Sequence, residues 1–142
     1  MKTVRDILKV KGTDVWCVAP DATVFEALQR MAEKEVGALV VTEHTQVVGL
    51  ISEREYARKV VLQGRTSPTT LVKEIMLTHV VYVRADQPIE ECMALMTEKR
   101  TRHLPVIENG TLAGLISIGD LVKSIIADQQ FTIEQLVRYI SG

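Results

Sequence analysis

Gly49-Leu50-Ile51-Ser52 and Gly114-Leu115-Ile116-Ser117 are the same four residues written 65 positions apart, and the identity spreads outward from them. Val15 to Val61 aligns with Val80 to Ile126 at that constant offset without a gap, matching at 14 of 47 positions. A period of this length marks the repetition of a supersecondary unit rather than of a single helix or strand.

The first copy opens with Val15 to Val18, a short apolar run closed by Pro20-Asp21, which reads as a strand and a turn. Val24, Ala27, Leu28 and Met31 then recur at helical spacing, and Thr23 with Glu26 three residues later forms a capping-box signature at the helix start. In the second copy Ile89, Cys92, Met93 and Met96 make the same stripe behind Pro88. Two apolar runs follow in each copy, Ala38 to Val41 and Val47 to Ile51, then Leu104 to Ile107 and Leu112 to Ile116. Polar turns at Glu43 to Gln46 and Glu108 to Thr111 join them, so each pair reads as a hairpin. Asn109-Gly110 is the strongest of the turn signals, because both residues tolerate the positive φ that a tight hairpin requires. After each Ser the spacing returns to helical, through Tyr56, Val60 and Val61 or through Leu121, Val122, Ile125 and Ile126.

Each unit is therefore β-α-β-β-α, and the fold class is α+β. One unit of about 47 residues buries too little apolar surface to stand alone. The expectation is a single module in which the two copies pack sheet to sheet about a pseudo-two-fold axis. Val4-Arg5-Asp6-Ile7-Leu8 also returns, as Val72-Lys73-Glu74-Ile75-Met76, but at an offset of 68, because Lys9 to Asp14 carries three extra residues. Gln63 to Thr70, with Gly64, Ser67 and Pro68, reads as the linker. These limits place a first repeat at 1–65, a second at 66–127, and at 128–142 a further amphipathic helix with Ile133, Leu136, Val137 and Ile140 along one side.

Composition bounds the function. With 46% hydrophobic and 25% charged residues the chain sits in the globular range, and 17 basic against 18 acidic residues leave no global field to attract nucleic acid or anionic lipid. Cys17 and Cys92 align with Tyr82 and Ala27 rather than with each other, which predicts free buried thiols in a reducing compartment. No apolar run approaches the length of a membrane span and the N-terminus lacks an apolar signal core, so the cytoplasm is the expected location.

The tandem β-α-β-β-α unit, both Gly-Leu-Ile-Ser turns, the continuation Ser117-Ile118-Gly119-Asp120 and the stretch Arg102-His103-Leu104-Pro105 together resemble the cystathionine β-synthase (CBS) domain pair, or Bateman module. The likeness covers Val4 to Ile126, and Ser52-Glu53-Arg54-Glu55-Tyr56-Ala57-Arg58-Lys59 is similar to a run found in short, free-standing bacterial two-repeat members. There the fourth position is usually Asp, and here it is Glu55.

The resemblance implies two related clefts, each able to take an adenine nucleotide, and a homodimer joined through helices. In the first cleft it implies that main chain and apolar side chains at Asp14, Val15 and Trp16 and at Val36, Gly37 and Ala38 hold the adenine. Arg102 and His103 then approach phosphate, beside Ser117, Gly119 and Asp120. Residue chemistry supports the last group independently. A short carboxylate in the first turn of a helix accepts hydrogen bonds from both hydroxyls of a ribose, while the free amides and positive dipole end attract phosphate. The same two residue types also make good helix caps and nothing more. The second cleft uses Ser52, Arg54, Glu55 and Arg58, with His79, Val80, Val81, Tyr82 and Leu104. Arg54 and Arg58 stand four apart, where two guanidinium groups on one helix face would grip a phosphate or simply pair with Glu53 and Glu55. Glu55 is one methylene longer than Asp, so this cleft is expected to be the weaker.

Catalysis requires a nucleophile with its base or a cluster of metal ligands, and His44, His79 and His103 are scattered with no such motif around them. With 4% aromatic residues and no basic stripe, nucleic-acid binding is also disfavoured. The expected function is regulatory: a module that binds AMP, ADP, ATP or NAD(H), reports energy or redox state and acts on a partner protein not identifiable from the sequence. NAD(H) enters because the longer Lys9 to Asp14 loop would make room for a dinucleotide. The alternative is a constitutive oligomerisation module with vestigial clefts.

Overall fold

The computed structural model describes residues 2–141. Along the chain run α1 (Val4–Lys11), β1 (Cys17–Val18), α2 (Val24–Lys34), β2 (Ala38–Glu43), β3 (Gln46–Ser52) and α3 (Glu53–Tyr56), the last passing directly into a π-helical turn at Ala57–Val61. A 3-10 turn at Ser67–Thr69 leads to α4 (Val72–Ile75), α5 (Ile89–Lys99), β4 (His103–Glu108), β5 (Thr111–Ser117) and α6 (Ile118–Ser141). The chain forms two compact units, one of residues 14–82 and one of residues 2–13 with 83–141.

In the unit of residues 14–82, β1 pairs parallel to β2 through Cys17–Val40 and Val18–Val41, and β2 pairs antiparallel to β3 from Ala38–Ser52 to Glu43–Gln46. The Thr23–Glu26 capping box forms as its spacing predicts, with the Glu26 amide donating to Thr23 Oγ1 at 3.1 Å. It starts α2 so that Val24, Ala27 and Met31 turn inward onto Leu39, Val41 and Ile51. Val72 and Ile75 of α4 complete this core. The short helix α4 is tied in by backbone: the Val24 amide donates to Thr70 O at 2.8 Å and the Val72 amide to Ala22 O at 2.8 Å.

The other unit repeats the plan. β4 and β5 pair antiparallel from His103–Ser117 to Glu108–Thr111, and the strand leading into this copy contracts to a single parallel bridge between Val83 and Val106. Asn109 and Gly110 take φ of 51° and 74°, the positive pair expected of the tight turn. Here the helix at the start of the chain plays the part that α4 plays in the first unit. The Val4 amide donates to Gln87 O at 2.9 Å and the Ile89 amide to Lys2 O at 3.1 Å, and Val4, Ile7 and Leu8 are buried.

The helix read at 128–142 is not a separate element among the described residues. It is the continuation of α6, one helix of 24 residues from Ile118. Leu121 is its only fully buried residue, and everything from Ile126 onward is exposed. Cys92 is buried as expected, whereas Cys17 is only partly so, and both are free. No helix among the described residues is long and apolar enough to cross a membrane.

Candidate functional site

The turn from β5 into α6 gathers the strongest chemistry. Ser117 ends β5 and Asp120 stands in the first turn of α6, so the two cap the helix reciprocally. The Ser117 amide donates to Asp120 Oδ2 at 2.8 Å and the Asp120 amide to Ser117 Oγ at 3.2 Å. Gly119 lies between them with room for a Cβ, the nearest atom being Ser117 Oγ at 3.6 Å. A third residue, which the motif reading did not single out, completes the group. Lys11, the last residue of α1, places Nζ 2.7 Å from Asp120 Oδ2 and 2.5 Å from Leu115 O. Burial alone would raise the Asp120 carboxyl, but the Lys11 ammonium and the Ser117 amide outweigh it and hold the pKa below the usual carboxylate value. His103, opening β4, is pushed down to about 4 by burial and by the charges of Lys11 and Arg102, with Asp120 opposing. Its imidazole is therefore neutral at physiological pH.

A cleft of about 330 Å³ lies between α1 and α6 in this unit, lined by Lys2, Asp6, Lys11, Asp120, Lys123 and Ser124 with apolar Ile7, Val10 and Ala127. Arg102 is exposed beside His103, and Leu104 is buried in the core of the same unit.

The remaining residues of the first set belong to the unit of residues 14–82. Asp14 and Gly37 are exposed, Val15, Trp16 and Val36 are half-buried, and Ala38 is buried at the start of β2. Two cations stand over the Trp16 indole, Lys34 Nζ at 4.4 Å and Arg30 Cζ at 5.9 Å from the ring centroid.

The second turn, from β3 into α3, repeats the capping box with a longer side chain. Glu55 Oε1 accepts from the Ser52 amide at 2.9 Å and from Ser52 Oγ at 2.7 Å, and both residues are buried. The extra methylene of Glu55 is absorbed by folding the carboxylate back onto Ser52. Arg54 is half-buried and Arg58 exposed, and the backbone between them changes from α to π winding, which departs from the straight i, i+4 alignment of an α-helix. His79 and Tyr82 are exposed, and Val80 and Val81 half-buried, in the loop closing this unit. Among the described residues no group of three or more His, Cys, Asp or Glu is placed to hold a metal ion.

The profile of the CBS domain matches residues 4–62 and again residues 72–127. The chain belongs to the CBS-domain family. A solved structure of a putative signal-transduction protein with CBS domains from Burkholderia ambifaria is 55% identical, superimposes with a TM-score of 0.87, and is matched over 93% of this chain and 99% of its own. The mitochondrial CBS domain-containing protein CBSX3 of Arabidopsis thaliana is 37% identical over 99% of this chain and 72% of its own length. At 20% identity, a likeness of fold alone, the CBS domain pair of protein MJ0100 superimposes with a TM-score of 0.80 over 90% of this chain and 98% of its own. That structure holds 5'-methylthioadenosine and S-adenosyl-L-methionine. The two matches of the CBS profile bracket the two Gly-Leu-Ile-Ser strands, so each capping-box turn closes one CBS motif.

Proposed function

We propose that this CBS pair is a regulatory module that binds an adenine nucleotide, AMP, ADP, ATP or NAD(H), and passes its occupancy to a partner protein. The observation that supports this reading is Asp120, an ionised carboxylate fixed at the N-terminus of α6. Its hydrogen bonds fall on Oδ2, which leaves Oδ1 open to a vicinal diol. The helix dipole and the adjacent lysines favour phosphate beside it. Adenosine-derived ligands in the MJ0100 pair add to the support, on a common fold. The turn at Ser52 and Glu55 is the second, weaker site, because its carboxylate is buried against Ser52.

The test is isothermal titration calorimetry of nucleotide-stripped protein with AMP, ADP, ATP and NADH. Micromolar binding that Asp120→Ala removes, with the fold intact by circular dichroism, supports the sensor. Silence from all four ligands refutes it.

The assembly-module alternative draws on the far end of α6. Ile126, Ile133 and Ile140 repeat every seven residues, with Val122 one turn before the first and Leu136 between the last two, and these side chains are 42–83% exposed. An isolated helix of about 15 residues is only marginally stable in water, so this stretch calls for a partner. A self-complementary apolar seam is best met by a second copy, and homodimerisation through α6 belongs to either function.

A further inference from the structure

The two carboxylate turns differ in one chemical respect. In the unit of residues 14–82 the backbone of Leu50 is satisfied by backbone, its amide donating to Leu77 O at 3.0 Å and its carbonyl accepting from the Leu77 amide at 2.8 Å. Leu115 is the same position 65 residues on. There α1 runs eight residues where α4 runs four, and the chain ends its helix with Lys11 instead of turning back to pair with the strand. The Leu115 carbonyl is satisfied by the Lys11 ammonium, which at the same time holds Asp120. Among the described residues Glu55 pairs with no cation; the hydrogen bonds it accepts come from Ser52.

The Lys11 side chain is 34% exposed and the Asp120 side chain 16%, so the carboxylate is withdrawn from water while the ammonium stays partly open to it. A ligand's diol that takes Asp120 Oδ1 leaves Oδ2 with the Lys11 ammonium, so a phosphate beside the diol meets a cation already held in place. Lys2, Lys11 and Lys123 line the cleft with Asp6 and Asp120, and Lys2 also pairs with Asp128 at 2.8 Å, so three ammonium groups stand against three carboxylates. Asp6 is already engaged by the Thr3 amide at 2.9 Å, and among the described residues Lys123 has no ion pair. A phosphate beside the diol would gain the ammonium groups of Lys11 and Lys123. A neutral nucleoside gains neither, and a sulfonium or ammonium group is repelled. Burial first, and the Lys11 charge after it, keeps the neighbouring His103 neutral.

We infer that Lys11 sets the ligand class at Asp120, selecting phosphate-bearing adenosine ligands over neutral adenosine and cationic S-adenosylmethionine. This rests on the nucleotide-binding reading above. A charge-assisted hydrogen bond corresponds to a preference of about 10- to 100-fold.

The experiment titrates the full chain with AMP, ADP, adenosine and S-adenosylmethionine, in the wild type and in Lys11→Met, which keeps an unbranched apolar stem. The wild type is expected to bind AMP and ADP at least about 10-fold tighter than the other two, a margin that shrinks as sodium chloride is raised. Lys11→Met is expected to erase the margin by weakening the phosphates while leaving adenosine unchanged or tighter, and Lys11→Arg to retain most of it. Equal binding of AMP and adenosine by the wild type, or an unchanged ratio in Lys11→Met, overturns the role of Lys11 while leaving the nucleotide site standing. Silence from all four ligands overturns both. Should Lys11→Met fail to fold, the wild-type salt series and Lys11→Arg decide the question by themselves.

Discussion

Adding one methyl group to each Gly-Leu-Ile-Ser strand should separate the two units energetically. A Cβ built on Gly49 would lie 2.6 Å from Met76 Sδ and 2.9 Å from Leu77 O. The sulfur is at the end of a flexible side chain and can move aside. The carbonyl cannot move without disturbing the bridge in which the Leu50 amide donates to Leu77 O at 3.0 Å and the Leu77 amide to Leu50 O at 2.8 Å. At Gly114 the Cβ would meet only the Leu8 side chain, with Cδ2 at 2.7 Å and Cδ1 at 3.1 Å. Leu8 is buried, so its rotation is hindered but not blocked by backbone.

Overpacking of this kind costs about 1–3 kcal/mol, and replacing a strand glycine by alanine returns about 0.5–1 kcal/mol. Gly49→Ala should therefore lose about 2 kcal/mol, and Gly114→Ala between about 0 and 1 kcal/mol, by the same two principles. In thermal terms the first is a fall of roughly 6 °C and the second at most about 3 °C. Urea unfolding followed by circular dichroism measures both. Trp16, the only tryptophan, lies in the unit that contains Gly49, so its fluorescence isolates the larger effect. A Gly114→Ala variant as unstable as Gly49→Ala, or a Gly49→Ala variant as stable as wild type, would refute the claim that backbone contact at Leu77 makes the difference.

Acid should act through His103. Its folded pKa of about 4 lies below the unfolded value of about 6.5, so the unfolded chain binds the proton first and stability falls as pH drops from about 6.5 to about 4. The loss is about 3 kcal/mol at most and levels off below pH 4. His103→Gln should lack this component in a pH series of urea midpoints, and parallel curves for the two proteins would contradict it. Charges placed on the exposed stripe of α6 should break self-association: Ile133→Asp with Leu136→Asp is expected to convert dimer to monomer by light scattering while leaving secondary structure in place. An unchanged mass would remove α6 from the interface.

Much of the architecture was legible because it is encoded locally. Alternating and helical apolar spacing, the Thr23–Glu26 box and Asn109-Gly110 specify elements from residues a few positions apart, and each is found where its pattern lies. The helix read at 128–142 is continuous with the one before it because nothing between Ala127 and Thr132 stops a helix; the run contains no Pro or Gly. The strand leading the second copy is reduced to one bridge although its residues align with the first, since pairing is a property of the partner edge as well as of the strand. At the candidate site Ser117, Asp120, Ser52 and Glu55 stood out by type and spacing. Lys11 did not, for it is 109 positions from Asp120 and lies in a stretch with three other basic residues, Arg5, Lys9 and Lys2.

By itself the sequence determined the repeat, the order of elements, both capped turns and membership in the CBS family, because all of these rest on short-range patterns and on identities between the two copies. Only the tertiary structure decided which copy each leading helix serves. Val4–Lys11 packs into the unit of the second copy, with Leu8 against Gly114, and Val72–Ile75 into the unit of the first, with Met76 against Gly49. An amphipathic helix specifies that one face must be buried but not against what. The choice is made by long-range fit, and the same fit carries Lys11 across the strand to Asp120.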